Sequence, residues 1–226
     1  MTKLLTSIRE CLQKKSNIKI SNIFDTNQTS VLLAIEKSDT ISIIKPRQSG
    51  ITSAALYYVA KTMKFSYDRK NIAFFGHNHY VSEDFIKKLG FLLRGYRENN
   101  LRTNRKDLYL EGSCFRVFED YYKLRGQKYD IIIVDEASHH NNFKEIITYA
   151  KMSLSKNGKL ICFSTPGGPS DYHFTSFHFK LNDYLEISKT SLIVEKNNQY
   201  KKNKKLDIKC HKNRSTELKK EKLNIY

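Results

Sequence analysis

A chain of 226 residues, 39% hydrophobic and 12% aromatic, is long enough for one α/β domain with a small appendage, and too apolar for wholesale disorder. Its formal charge of +17 suits a polyanionic partner, most simply nucleic acid, or a solvated basic tail. No apolar run approaches the ~20 residues of a membrane span. The amino end lacks the apolar core of a signal peptide, and four scattered cysteines (Cys11, Cys114, Cys162, Cys210) read as reduced thiols rather than a disulfide or metal framework.

The amino-terminal segment, 1–40, reads as helical in places, with Leu4, Leu5, Ile8 and Leu12 at helical spacing and a second apolar set at Val31, Leu32, Leu33 and Ile35. A strand over Thr40–Ile44 leads through a Lys45–Ile51 loop into a helix from Thr52 to Lys64. A second strand, Asn71–Phe75, precedes a helix over Ser82–Gly95, with Ser82 as its cap. Leu108–Leu110 and Cys114–Phe118 read as a hairpin across Glu111-Gly112-Ser113. A strand at Ile131–Val134, a helix over Phe143–Leu154 ending at Asn157-Gly158, and a strand at Lys159–Ser164 complete a 41–180 core. Strands alternating with helices imply a parallel α/β sheet flanked by helices. The remainder, 181–226, reads as one extra strand at Leu185–Val194 and a basic, disordered or loosely helical tail: from Lys196 to Tyr226 there are 11 Lys/Arg and 3 Asp/Glu, a local net of +8.

The segment Tyr129-Asp-Ile-Ile-Ile-Val-Asp-Glu136 carries most of the chemistry. Four consecutive apolar residues suit a strand buried on both faces of a parallel sheet. Ligands of open α/β sheets bind beyond the carboxyl ends of the strands, where Asp135 can organise a divalent metal and Glu136 can polarise a water. This is the Walker B arrangement of an ATPase. The loop Lys45-Pro-Arg-Gln-Ser-Gly-Ile-Thr-Ser53 lies between a strand and a helix, as a phosphate loop must. Gly50 supplies a turn, and Thr52 or Ser53 a hydroxyl for the metal. Ile51, however, stands where a lysine is usual, and isoleucine cannot neutralise a γ-phosphate.

Together these motifs resemble the ATPase domain of terminase large subunits, the genome-packaging ATPases of tailed phages and herpesviruses. That family commonly shows Arg-Gln-x-Gly-Lys-Thr, and one branch places its lysine five residues before the glycine, as Lys45 stands to Gly50 here. The resemblance runs over residues 28–179. It assigns the phosphate-loop lysine to Lys45, with Arg47 second, and ATP contacts to Gln48, Ser49, Gly50, Ile51, Thr52 and Ser53. It makes Gln28, 22 residues before Gly50, an adenine reader. It makes Arg125 of Leu124-Arg125-Gly126, ten residues before Asp135, a finger acting on a neighbouring subunit's ATP. Phe75-Gly76-His77 with Ser82 resembles the family's segment after the second strand. Cys162-Phe163-Ser164-Thr165-Pro166-Gly167-Gly168 resembles its coupling motif, with Ser164, Thr165 and Pro166 relaying loss of the γ-phosphate; His173-Phe174 also follows the pattern.

The resemblance implies a P-loop NTPase (RecA/ASCE-like) fold using ATP and Mg²⁺, the metal held by Thr52 and Asp135, with Glu136 activating water. It implies a homo-oligomeric ring acting on double-stranded DNA with a portal protein and a small terminase subunit, in the cytoplasm of an infected host cell. Only 47 residues follow Phe179, so a nuclease domain is not expected here. Two alternatives stay open. Asp-Glu-Ala-Ser-His-His also resembles the Asp-Glu-Ala-His region of helicases, although a helicase needs a second RecA-like domain. A degenerate, non-catalytic ATPase-fold module that binds DNA or an assembly partner would explain Ile51, while the retained Asp135-Glu136 argues against it.

Overall fold

The computed structural model describes residues 3–13, 23–94, 101–181, 183–187 and 192–196. The elements run α1 (Lys3–Gln13), α2 (Thr26–Lys37), β1 (Thr40–Ile44), α3 (Ile51–Phe65), β2 (Asn71–Phe75), α4 (His79–Leu93), β3 (Leu101–Thr103), β4 (Asp107–Leu110), β5 (Ser113–Phe118), β6 (Tyr129–Asp135), α5 (Phe143–Ser153), β7 (Leu154–Ser164), α6 (Asp171–Lys180), β8 (Asp183–Ile187) and β9 (Leu192–Lys196). The strands form one nine-stranded sheet in the order β3-β4-β5-β2-β6-β7-β1-β8-β9. Its six inner strands, β5 to β8, are parallel to their neighbours, and an antiparallel strand or hairpin closes each edge.

Period-2 alternation explains why the inner strands read as continuous apolar runs. On β6, Ile131 and Ile133 face a core built with α1, α2, α3 and α4, whereas Ile132 and Val134 face a second core built with α5 and α6. On β2, Phe74 joins the first core and Phe75 the second, both almost fully buried. The amino-terminal helices belong to this packing: Leu5, Ile8, Leu12, Val31, Leu32 and Ile35 are all core residues. The buried Lys64 on α3 donates from Nζ to the Leu12 carbonyl, which satisfies an end carbonyl of α1.

Four expectations need correction. Helix α4 begins at His79, not at Ser82; its cap is Asn78, whose side chain accepts from the Val81 N–H at 2.9 Å. Ser82 is instead a buried position within the helix. Asn157-Gly158 does not end a helix: α5 stops at Ser153 and both residues lie inside β7. There β7 advances five residues, Leu154 to Lys159, against two on β6, Tyr129 to Ile131, so a bulge absorbs the turn-like sequence. The segment 185–194 is not one strand but parts of the antiparallel pair β8 and β9. The three-residue β3 had no signal long enough to show alternation. The expected tail beyond residue 196 and the helix end at Gly95 lie outside the described residues.

Phe74, on a central strand, stacks its ring 4.3 Å from that of Phe85 and 5.9 Å from that of Phe115. Phe74→Ala should destabilise the fold by about 3–5 kcal/mol, read as a lower midpoint in urea unfolding with an unchanged slope.

Candidate nucleotide site

Three neighbouring strands end together. Ile44 of β1 pairs with Ser164 of β7, and Asp135 of β6 pairs with Phe163. The three segments that follow these strands are therefore level, and each supplies one member of a cluster. The Lys45 N–H continues the ladder by donating to the Ser164 carbonyl at 3.0 Å. Its ammonium, 7% exposed, forms an ion pair and hydrogen bond with Glu136 Oε1. The other carboxylate oxygen, Oε2, accepts from the Thr165 N–H at 2.9 Å. Glu136 has a left-handed backbone, φ 48 and ψ 51, an uncommon conformation for a residue with a β-carbon. That sharp turn immediately after β6 aims its carboxylate back across the ends of β7 and β1. Burial works to raise the Glu136 pKa, but the Lys45 ammonium and the Thr165 N–H hold it below the usual range.

The loop behind Lys45 has the shape the sequence implied. Gln48 (φ 61) and Gly50 (φ 71) are both left-handed, and Gly50 is the residue before α3. Among the described residues, the N–H groups of residues 47–52 donate to no protein acceptor. They form a run of backbone donors at the start of a helix, the arrangement that receives anionic oxygens. Ile51 is 0% exposed and belongs to the main core, so a lysine there would be desolvated rather than presented to a phosphate. Gln28 is placed against the loop. Its side chain closes a capping box at α2, accepting from the Asp25 N–H at 3.2 Å, and its amide donates to the Ser49 carbonyl at 3.4 Å.

Asp135 is 2% exposed, burial pushes its carboxyl up to about 7, and its Oδ1 has no hydrogen-bond partner. An orphaned, buried carboxylate oxygen at a strand end fits a role as metal ligand or as acceptor from a metal-bound water. Thr52 lies in the first turn of α3. The residues present thus fit Mg²⁺. Beneath them, His140 Nε2 lies 3.0 Å from the Asp135 carbonyl. Burial, with His77 and His139 nearby, lowers the His140 pKa to about 4. The ring is therefore neutral, with Nε2 as the protonated nitrogen donating to that carbonyl.

A hydroxyl network joins β6 to β7 beyond the cluster. The Ser138 N–H donates to Ser164 Oγ at 3.0 Å, the two hydroxyls are 2.8 Å apart, and Ser138 Oγ donates to the Thr165 carbonyl at 2.9 Å. Thr165 Oγ1 is buried without a partner. Past exposed Pro166, Gly167 has φ +105 and open space around it, whereas a Cβ on Gly168 would meet the Ser138 carbonyl at 2.2 Å. The Ser170 N–H also donates to that carbonyl, at 2.8 Å.

The structure thus brings together Gln28, Lys45, the 47–53 loop, Asp135, Glu136, Ser164 and Thr165. Arg47 is exposed on the loop and Lys45 is the inward cation. Arg125 is not part of the cluster. It precedes β6 whereas Glu136 follows it, roughly 20 Å away at ~3.3 Å per residue along the strand. There it stacks 4.8 Å over the Tyr149 ring and donates to the Tyr149 hydroxyl. Ser138 and His140 were missed by sequence reading; the only signal was their position in the polar Ala-Ser-His-His run directly after the acidic pair.

Gly50 is tested by its crowding. A Cβ there would lie 1.9 Å from Gln28 Nε2, on a left-handed backbone. Gly50→Ala should cost about 1–2 kcal/mol for the backbone alone and more with Gln28 in place. In a Gln28→Ala background the extra cost should vanish, giving a coupling on the order of 1 kcal/mol in a double-mutant unfolding cycle. Strict additivity would show that Gln28 does not seat the loop.

Comparison with known proteins places the cluster in context. Residues 42–223 match the family described as terminase large subunit, T4-like-virus type, N-terminal. No curated protein matches. Among solved structures, the large terminase of a thermophilic bacteriophage in complex with ADP is similar, with a TM-score of 0.56 and 18% identity over 74% of this chain and 48% of that chain. An S. cerevisiae dbp5 variant bound to nup159, gle1, ip6 and ADP gives 0.53 at 10% identity, over 84% of this chain and 53% of that one. The chain therefore spans about half the length of each. At these identities the likeness is one of fold, and it agrees with a P-loop NTPase (RecA/ASCE-like) architecture of mostly parallel strands flanked by helices. With the family match running from β1 past β7 and on into the basic carboxyl-terminal residues, this chain belongs to the terminase large-subunit family of T4-like-virus type, matching its N-terminal region.

Proposed function

We propose that this chain hydrolyses Mg-ATP to drive double-stranded DNA into a procapsid, as the motor part of a terminase large subunit. The observation that carries the reading is the convergence of Lys45, Glu136 and Thr165 at the level ends of β1, β6 and β7. The γ-phosphate of ATP seated on the 47–53 backbone donors offers the Lys45 ammonium a second anion. As Lys45 turns toward it, the Glu136 carboxylate loses its cation, gains basicity and accepts a proton from the attacking water. Mg²⁺ held by Thr52 and Asp135 would offset charge on the phosphate oxygens. Thr165, which donates to Glu136 and carries a free buried hydroxyl, is suited to register the γ-phosphate and its loss. Gln28 reads the adenine side of the nucleotide.

Around this chemistry the family supplies the rest of the proposal: a homo-oligomeric ring, a portal protein and a small terminase subunit, working in the cytoplasm of the infected host cell. Arg125, remote from its own subunit's site, serves as a finger only toward a neighbour's ATP. The solvent-exposed guanidinium and the distance from Glu136 both suit that use.

Steady-state ATP hydrolysis, with and without duplex DNA, tests the reading. Glu136→Gln should lower turnover by about 10²–10⁴-fold while nucleotide binding survives. Lys45→Ala should lose binding and turnover together. A wild-type chain inert at every ATP, Mg²⁺ and DNA concentration would favour the non-catalytic ATPase-fold module.

A further inference from the structure

At the other end of the sheet lies an open cleft of about 700 Å³ that the nucleotide chemistry does not use. Arg69, Arg102, Thr103, Asn104, Tyr109 and Glu111 line it. It sits at the amino ends of the parallel strands: Arg69 precedes β2, and the Glu111-Gly112 turn precedes β5. Lys45, Asp135 and Glu136, by contrast, lie at carboxyl ends.

Both arginines are held in place by backbone structure while their charges stay available. Residue 70 is pinned to β5, its N–H donating to Ser113 Oγ at 3.1 Å and its carbonyl accepting from the Cys114 N–H at 2.8 Å. Arg69 lies across the hairpin turn, so close that a Cβ on Gly112 would meet Arg69 Nε at 2.6 Å; with φ +86 as well, only glycine suits that position. Arg102 pairs in register with Tyr109 on β4, whose hydroxyl accepts from Arg116 at 3.2 Å. Arg116 itself is neutralised by Asp107 at 2.8 Å. Arg69 and Arg102 have no ion-pair partner among the described residues. In the chain, exposed Arg105 follows the lining residue Asn104, and the fully exposed Tyr67 stands two residues before Arg69. Two forked guanidiniums with hydroxyl and amide donors around them match phosphodiester oxygens.

The geometry points to this cleft as a phosphate-backbone site for double-stranded DNA, separate from the ATP loop and at the opposite end of the sheet. It rests on the proposed function only for the choice of duplex DNA as ligand. Contact is to phosphates alone, without base reading, so it is independent of sequence and sensitive to salt.

The experiment is anisotropy of a labelled random-sequence duplex with the full chain over a series of salt concentrations, comparing wild type, Arg69→Ala/Arg102→Ala, the charge-keeping Arg69→Lys/Arg102→Lys, and Lys144→Ala, an exposed position on α5, as a remote basic control. The double alanine variant should bind about tenfold or more weakly, and its slope of log K against log salt should fall by roughly 2, about 0.9 for each phosphate released. The lysine variant should keep most of that slope. Binding of a fluorescent ATP analogue, and DNA-free hydrolysis where it occurs, should not change. An unchanged duplex affinity and slope, or a loss no larger than that of Lys144→Ala, overturns the site. So does loss of ATP-analogue binding with DNA binding intact, which would make the cleft a nucleotide site. Because duplex binding is read without turnover, an inert ATPase does not decide the matter.

Discussion

The site depends on strand register. Three parallel strands with both faces buried leave few places for charge except at their ends, and the pairings Ile44 with Ser164 and Asp135 with Phe163 bring those ends to one level. Had β7 slipped by one residue against either neighbour, every buried side chain on it would have changed face. Leu160 and Cys162 would leave the α5–α6 side, and Ile161 and Phe163 the side of α1 to α4. The apolar alternation that builds the two cores is therefore the same constraint that sets Lys45, Glu136 and Thr165 within reach of one another.

Within that frame, charge balance governs the cluster. A half-buried carboxylate facing one ammonium and one N–H is stable only while both contacts last. An incoming anion that draws Lys45 away changes the chemistry of Glu136 without any movement of the backbone. Ile51 completes the arrangement from the other side. It fills the core at the helix start, and the cation that reaches Glu136 is Lys45, just past the end of β1.

Much of this was legible in the sequence because it rested on local rules. β1 and β2 were bounded correctly as short, mostly apolar segments between turn residues, and the unbroken Ile131–Val134 run formed the heart of β6. Lys45 was singled out by the family resemblance rather than by a local rule, and the structure turns its ammonium inward onto Glu136. Features set by tertiary context were not legible. Asn157-Gly158 carries every mark of a stop, yet lies in β7, because β6 offers a partner on which a bulge can form. Ser82 looked like a cap, but Asn78 lies one turn earlier with free access to the Val81 N–H. Ser138 acts on Ser164 and Thr165 of the distant β7 end, and His140 folds back onto the Asp135 carbonyl; neither contact follows from a spacing rule. Arg125 shows the converse: ten residues of sequence separate it from Asp135, but an extended strand turns that short interval into the full depth of the sheet.

The two glycines after Pro166 divide the work of a joint. Gly167 stands clear of its surroundings, while Gly168 is pressed onto the Ser138 carbonyl and Ser170 is bonded to it. Of the two, only Gly167 has open space around it. Downstream, the start of α6 is bonded to the turn after β6, the Ser170 N–H donating to the Ser138 carbonyl. Upstream, Thr165 directly follows β7. Thr165 and the start of α6 are thus tied to the same residue: the Ser138 hydroxyl bonds the Thr165 carbonyl, and the Ser138 carbonyl bonds the Ser170 N–H.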